Sequence, residues 1–289
     1  YGGFTGAEFT ISQRNISANP TLLSGEIQQD NAQNNNSITV VRGLNLADTL
    51  KLDGIAITKG FAQFNPIAES VSGINCKGTN ISFKNVAISE NQCSSNTSTN
   101  SVAIAGIYFK SGILENCTLL NNSSNTQCDR GLSIGAIYAK SSKLLNCTIK
   151  GNKGYAFSNS SKPSGSSLLD AVGAISSSSI TMINCEVSNN LSQADVQYNS
   201  TNTNQSLRST GGIYCINFTV TKCKIEGNRA TAGTTPIAYE AIASGGMKAN
   251  SGTITNCEVS NNIAYATSNN FAYSGGGFYS INLNLNESF

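Results

Sequence analysis

The fold is decided by a stretch that occurs twice in succession, as GGIYCINFTVTKCKIEGNRA at residues 211–230 and as GGMKANSGTITNCEVSNNIA at residues 245–264. Each copy has a glycine pair followed by one apolar residue, a cysteine ten positions after that residue and an asparagine fifteen positions after it. The same frame, with alanine in place of one glycine of the pair, fits three earlier segments, whose apolar residues are Ile107, Ile137 and Ile175. A constant core with connections of variable length indicates a solenoid of stacked repeats.

The hydrophobic pattern inside the frame is that of a β-strand. Apolar residues stand at positions ten and twelve with a polar residue between them, as in a strand with one buried face. The frame has no helical period, which excludes leucine-rich and helical repeats. We therefore predict an all-β, right-handed parallel β-helix of about eight to nine coils.

The predicted domain organisation is a single β-helix domain over residues 1–289. Residues 1–36 are expected to form an early irregular coil, and residues 37–289 regular coils with variable loops on one edge. Neither end supplies the cap that a solenoid needs, so both ends are expected to be truncated.

In-register stacking predicts files of identical residues along the solenoid, about 4.8 Å apart. Cysteine serves as a small buried residue, and asparagine can adopt left-handed turns and form amide ladders. Parallel side chains oppose disulfide geometry, so the cysteine file should hold free thiols. For Cys93 and Cys128, outside the file, a disulfide and two free thiols are both open. The predicted structural stacks are Cys117, Cys147, Cys185, Cys223, Cys257, Asn122, Asn152, Asn190, Asn228 and Asn262.

Composition excludes several classes of function. With 18 Lys and Arg against 16 Asp and Glu, the net charge is +2. The basic residues do not form a stripe, so the sequence does not indicate nucleic-acid binding. No apolar run reaches the length of about 20 residues that a membrane span needs. The chain has neither histidine nor a CxxC pair, so no metal site is predicted, and no cofactor.

The repeats resemble those of a known group. The glycine pair, NCTIKGN at 146–152 and NCEVSNN at 184–190 resemble the repeats of right-handed parallel β-helix surface proteins, and chlamydial polymorphic outer-membrane proteins carry a related repeat. YGGFTGAEFTISQRNISANPTLLSGEI at 1–27 and LKLDGIAITKGFA at 50–62 are similar to the opening of large secreted β-helix proteins of Bacteroidota. The resemblance implies export, surface display and adhesion, hence an extracellular, cell-surface or secreted location.

No catalytic residues are predicted, because the aspartates never occupy equivalent places in adjacent frames. The preferred function is therefore a non-catalytic structural or adhesive segment of a surface adhesin, filament or appendage, and the alternative is a carbohydrate-active enzyme, either a polysaccharide lyase or a glycoside hydrolase. The expected partners are further copies of the chain or of a surface assembly, or a cell-surface glycan or protein. Partner contact is predicted at aromatic residues in the loops after the asparagines, namely Tyr155, Phe157, Tyr198 and Tyr239. The alternative contact surface is an outward tyrosine stripe formed by Tyr108, Tyr138 and Tyr214.

Overall fold

The computed structural model shows an all-β solenoid of four parallel sheets, A to D, that winds through about seven turns. The predicted parallel β-helix is confirmed. The turn count is slightly lower than expected, because sheets C and D have seven strands each while sheet B has nine, so the end turns lack some sides. The structure describes residues 1–28, 30, 32–65, 69–97, 100–158, 167–196, 205–233 and 238–286.

Each complete turn runs through sheets D, B, A and C in that order. Sheet A contains Thr21–Ser24, Ile55–Thr58, Ala87–Ser89, Thr118–Leu120, Thr148–Lys150, Glu186–Ser188, Lys224–Glu226 and Glu258–Ser260. Sheet B contains Val41–Arg42, Leu50–Asp53, Ile74–Lys84, Ile107–Glu115, Ile137–Leu145, Ile175–Ile183, Ile213–Thr221, Met247–Thr255 and Phe278–Asn286. Sheet C contains Phe61–Asn65, Gln92–Asn96, Ser123–Gln127, Lys153–Ser158, Leu191–Val196, Arg229–Ala232 and Ile263–Ala266. Sheet D contains Glu69–Val71, Asn100–Ile104, Arg130–Ile134, Ser167–Val172, Gln205–Thr210, Glu240–Ser244 and Phe271–Gly275.

The early segment joins this scheme at one strand. Thr21–Ser24 pairs in parallel with Ile55–Thr58 and so begins sheet A. The helical segments within the described residues are two short 3-10 turns, Ile11–Gln13 and Gln33–Asn35.

The main core lies between sheets A and B. It contains the apolar files of the repeat, such as Ile137, Leu144 and Ile149, all with zero exposure. The five file cysteines are buried in the same core, as free thiols, and the backbone N–H of Cys147 donates to Cys185 Sγ at 3.4 Å. Stacking of like on like therefore fills the interior of the A and B half of each turn.

Sheets C and D form a second, thinner half with its own core. This core consists mostly of alanines, together with Leu169 and Leu207. The small alanine side chains let the two sheets pack closely. The chain enters sheet C immediately after each asparagine of the repeat, so the expectation of a loop at that point is corrected: the connections of variable length come later, between the C strand and the D strand.

The glycines that precede each frame and the asparagine file meet at the neck between the two halves. A Cβ added to Gly173 would collide with Gly211 O in the next turn and lie 2.9 Å from Leu191 O. A Cβ on Gly246 would lie 3.2 Å from Asn262 Nδ2. Close approach of backbones, rather than a positive φ, is the reason for glycine here.

The buried asparagines form a continuous amide ladder across this neck. From Asn91 to Asn262, each Nδ2 donates to the Oδ1 of the next asparagine at 2.9–3.0 Å. The sequence predicts left-handed turns at these asparagines, but their φ values are not positive. Positive φ values fall on the residues just before the cysteine and before the asparagine, as at Asn146 and Asn121, because the corners of sheet A lie there.

Candidate functional site: a tyrosine-lined groove

The predicted tyrosine stripe lies at an inner corner of the solenoid, where sheet B meets the outer face of sheet D. Parallel pairing places Tyr108 beside Tyr138, with ring centroids 4.8 Å apart. These rings and Tyr214 are half-buried, because they pack against the apolar corner file of sheet D, which includes Ile104 and Ile134. The stripe is therefore one wall of a groove and not a flat exposed surface.

The opposite wall is the outer face of sheet D. Register pairing sets one file of side chains along this wall. Its members along the axis are an acid, two apolar residues, a second acid, a base and a third apolar residue: Glu69, Val102, Leu132, Asp170, Arg208 and Ile242. Two adjoining cavities of 610 and 580 Å³ fill the groove, and Lys77, Leu132 and Asp170 line both of them.

The tyrosine wall is interrupted at one turn. Ser176 stands in register between Tyr138 and Tyr214, so a small side chain replaces a ring there. Asp170 lies on the facing wall of the same turn and borders the same cavity. We call the space bounded by Tyr138, Ser176, Tyr214 and Asp170 the notch.

Asp170 at the notch and two cations of the next two turns, Arg208 and Lys248, perturb one another. Burial raises the pKa of Asp170, and the charges of Lys248 and Arg208 oppose this increase. Burial lowers the pKa of Lys248, although the Asp170 carboxylate acts in the opposite direction. An acid and a base whose pKa values are pushed in opposite directions are a frequent feature of functional sites.

These cations have few partners of their own. Arg208 Nε is buried and has no hydrogen-bond partner within the described part of the chain. Lys248 Nζ lies 5.8 Å from the ring centroids of both Tyr214 and Tyr279, which are cation–π distances. Farther along the groove, Lys77 is paired with Glu69 at 2.6 Å and lies 5.8 Å from the Tyr108 ring.

The predicted loop aromatics are placed differently. Tyr155 and Phe157 lie in the sheet C strand Lys153–Ser158, where their rings stack at 6.1 Å. Tyr239 is exposed at the start of a sheet D strand, with its ring 5.6 Å from that of Phe271. Tyr198 lies outside the described residues.

Asp170, Arg208 and Lys248 were not predicted as site residues. A signal for the first two is present in the sequence, because both stand five residues before the apolar residue that opens a frame, Ile175 and Ile213. Extending the frame upstream by five positions gives the whole wall file. Lys248 pairs in register with Tyr214 and so takes the next position of the tyrosine file.

The cysteines carry no comparable site. All nine are buried and free, and burial raises the pKa of Cys93 and of Cys215 to about 12. Register pairs Cys93 with Ser124, not with Cys128, so the disulfide that the sequence left open is not formed. Among the described residues, no group of three or more His, Cys, Asp or Glu side chains could hold a metal ion.

Comparisons of the chain with protein-family models, with curated proteins and with solved structures find no match. A search of the described residues for a helix long and apolar enough to cross a membrane also finds none.

Proposed function

We propose that the chain is a non-catalytic, extracellular structural and adhesive segment of a surface adhesin, filament or appendage. The solenoid supplies a rigid rod, and the tyrosine-lined groove supplies the contact surface. The observation that carries the proposal is that half-buried tyrosines line an open groove on the most regular part of the fold. Aromatic side chains with a few polar groups are the usual lining of binding sites.

The groove is suited to an extended partner. Its two walls repeat with the strand spacing of about 4.8 Å, so equivalent contacts recur from turn to turn. Tyr239 and Phe271, which we call the ridge, are exposed aromatic residues as well, but they lie on the last two turns. The groove is therefore the stronger candidate for attachment to a cell-surface glycan or to another assembly subunit.

The proposal can be tested with beads coated with the protein and applied to cells and to a glycan array. In the groove variant, Tyr108, Tyr138 and Tyr214 are changed to serine, which is the native residue at the equivalent position 176. A ridge variant with Tyr239→Ser and Phe271→Ser serves as the control. We expect attachment to be lost in the groove variant and kept in the ridge variant, and the reverse result would contradict the assignment.

A polysaccharide lyase is the second candidate, favoured by Lys248. A lysine with a lowered pKa in a groove can act as a general base. A glycoside hydrolase has less support, because Glu69 and Asp170 are three strand spacings apart, or about 14 Å, beyond the separation of roughly 5–10 Å that paired catalytic carboxyls need. Release of unsaturated sugars that is lost in Lys248→Gln would support the lyase over the binding role.

A further inference from the structure

We propose that the notch binds an acidic sugar residue of a linear polysaccharide, with the sugar ring between Tyr138 and Tyr214 and its carboxylate on Arg208. This inference rests on the proposed function and names the ligand class of the same groove. Three observations carry it: the size of the notch, the surplus of positive charge, and the hydroxyl-binding groups on its walls.

The size of the notch fits one ring. Tyr138 and Tyr214 are two strand spacings apart, or about 9.6 Å, and Ser176 places only a small side chain between them. Carbon contacts of about 3.5–4.0 Å on both faces of an inserted ring use roughly 7–8 Å of that separation. The remainder suits a puckered sugar ring, which is thicker than a flat aromatic ring.

The charge of the groove favours an anion. When all are ionised, the charged residues that line the two cavities carry two net positive charges, because four cations stand against two carboxylates: Lys77, Lys110, Lys140 and Arg130 against Glu69 and Asp170. Lys110, Lys140 and Arg130 are exposed on the rim, where an incoming anion would meet them. Arg208 is the receptor that we assign, since it stands beside Asp170 in the wall file, its Nε lacks a partner, and a guanidinium can bind a carboxylate through two parallel hydrogen bonds.

The remaining polar groups favour a sugar over other anions. Asp170 can accept hydrogen bonds from sugar hydroxyls, and the hydroxyls of Ser176 and Ser177 border the same cavity. A nucleic-acid backbone has no such donors along its phosphates, so it would give the Asp170 carboxylate no hydrogen bond. A chain of sugars also provides ring after ring along the axis, which matches the repeated tyrosines.

The test uses acidic oligosaccharides of galacturonate, glucuronate, mannuronate, guluronate and sialic acid, each beside its carboxyl-reduced form, with affinities measured by calorimetry. We expect at least one acidic oligosaccharide to bind, its reduced form to bind at least about tenfold more weakly, and added salt to weaken the interaction. Arg208→Gln should weaken binding by roughly tenfold to a hundredfold, as expected for loss of a charge-assisted hydrogen bond. Lys143→Gln removes an exposed charge from the same sheet outside the groove and should change little.

Ser176→Tyr tests the notch itself. Tyrosine is native at the neighbouring positions 138 and 214, so the fold should accept it, as circular dichroism can verify. We expect this variant to lose acidic-sugar binding while keeping the solenoid. Equal binding of acidic and reduced forms, unchanged binding in Ser176→Tyr, or tighter binding of a single-stranded oligonucleotide would overturn the inference.

Failure of the inference can be told apart from failure of the proposed function. If the beads attach through the groove but no acidic oligosaccharide binds, the ligand class is wrong and the adhesive role stands. If the groove variant attaches as well as the original chain and no oligosaccharide binds, both proposals fail.

Discussion

The amide ladder allows a test of how much a stacked repeat contributes to stability. The Asn152 side chain has zero exposure and takes part in five hydrogen bonds. It donates to Leu119 O, Lys150 O and Asn190 Oδ1, and it accepts from the backbone and the side chain of Asn122. At about 1 kcal/mol for each bond, and allowing for local relaxation, Asn152→Ala should lower the free energy of unfolding by about 3–5 kcal/mol.

The last member of the ladder provides the comparison. Asn262 is half-buried, and its side chain makes three hydrogen bonds of the same kinds. Asn262→Ala should therefore lower the free energy of unfolding by about 1–3 kcal/mol. Lys153→Ala, an exposed change next to Asn152, should stay within about 0.5 kcal/mol of the original chain. Urea unfolding followed by circular dichroism gives these values, and hydrogen exchange at the Asn122 amide gives the local effect. A loss in Asn152→Ala no larger than in Asn262→Ala would refute the argument that buried ladder bonds hold the neck together.

Three further predictions concern the neck, the thiols and the notch. Gly173→Ala should destabilise the fold far more than Gly277→Ala in thermal melts, because the added Cβ meets Gly211 O in the first case and only Val259 Cγ1, at 3.6 Å, in the second. Cys185→Ser should cost about 1–2 kcal/mol in urea unfolding, since the hydroxyl keeps Ile183 O as a partner but loses apolar contact, and a thiol reagent should modify Cys185 only after denaturation. Because the folded pKa of Asp170 is raised, the folded state holds its proton more tightly than the unfolded state, so stability should fall as pH rises above the ordinary value of 3.8. Asp170→Asn should lack that decrease, and parallel pH-dependent unfolding of the two proteins would contradict it.

The sequence was sufficient for everything that stacking controls. A cysteine and an asparagine that recur at fixed positions predicted the parallel sheets, the buried files and the amide ladder, because neighbouring turns must tolerate the same residue at the same place. The thin C and D half was not predicted. Its strands are built on alanine and serine, such as Ala156 and Ser133, which have little strand propensity and no strong hydrophobic alternation. The C and D strands form because the residues at the neck hold the chain in register with the preceding turn.

The groove was missed for a related reason. Its tyrosine wall was visible as a stripe, but an inner corner exists only once sheet D folds back beside sheet B. Without that corner, Tyr138 and Tyr214 have no facing wall, and Asp170 or Arg208 has no reason to be associated with them. The burial that perturbs the pKa of Asp170 and of Lys248 is likewise a product of the corner and not of the local sequence.

Departures from the repeat are therefore the most informative positions for function in this fold. Inward positions are held to one residue type by the turn before and the turn after, so they report only on packing. Outward positions are free of that constraint, and a regular outward file would be sufficient to cover a sheet. In the groove both files change character at one turn, where Ser176 interrupts the tyrosines and Asp170 follows the aliphatic residues of the wall. On the next turn the wall stays charged with Arg208, while the tyrosine returns as Tyr214. Packing alone gives no reason for two facing files to change together, whereas a ligand that needs space on one wall and charge on the other does.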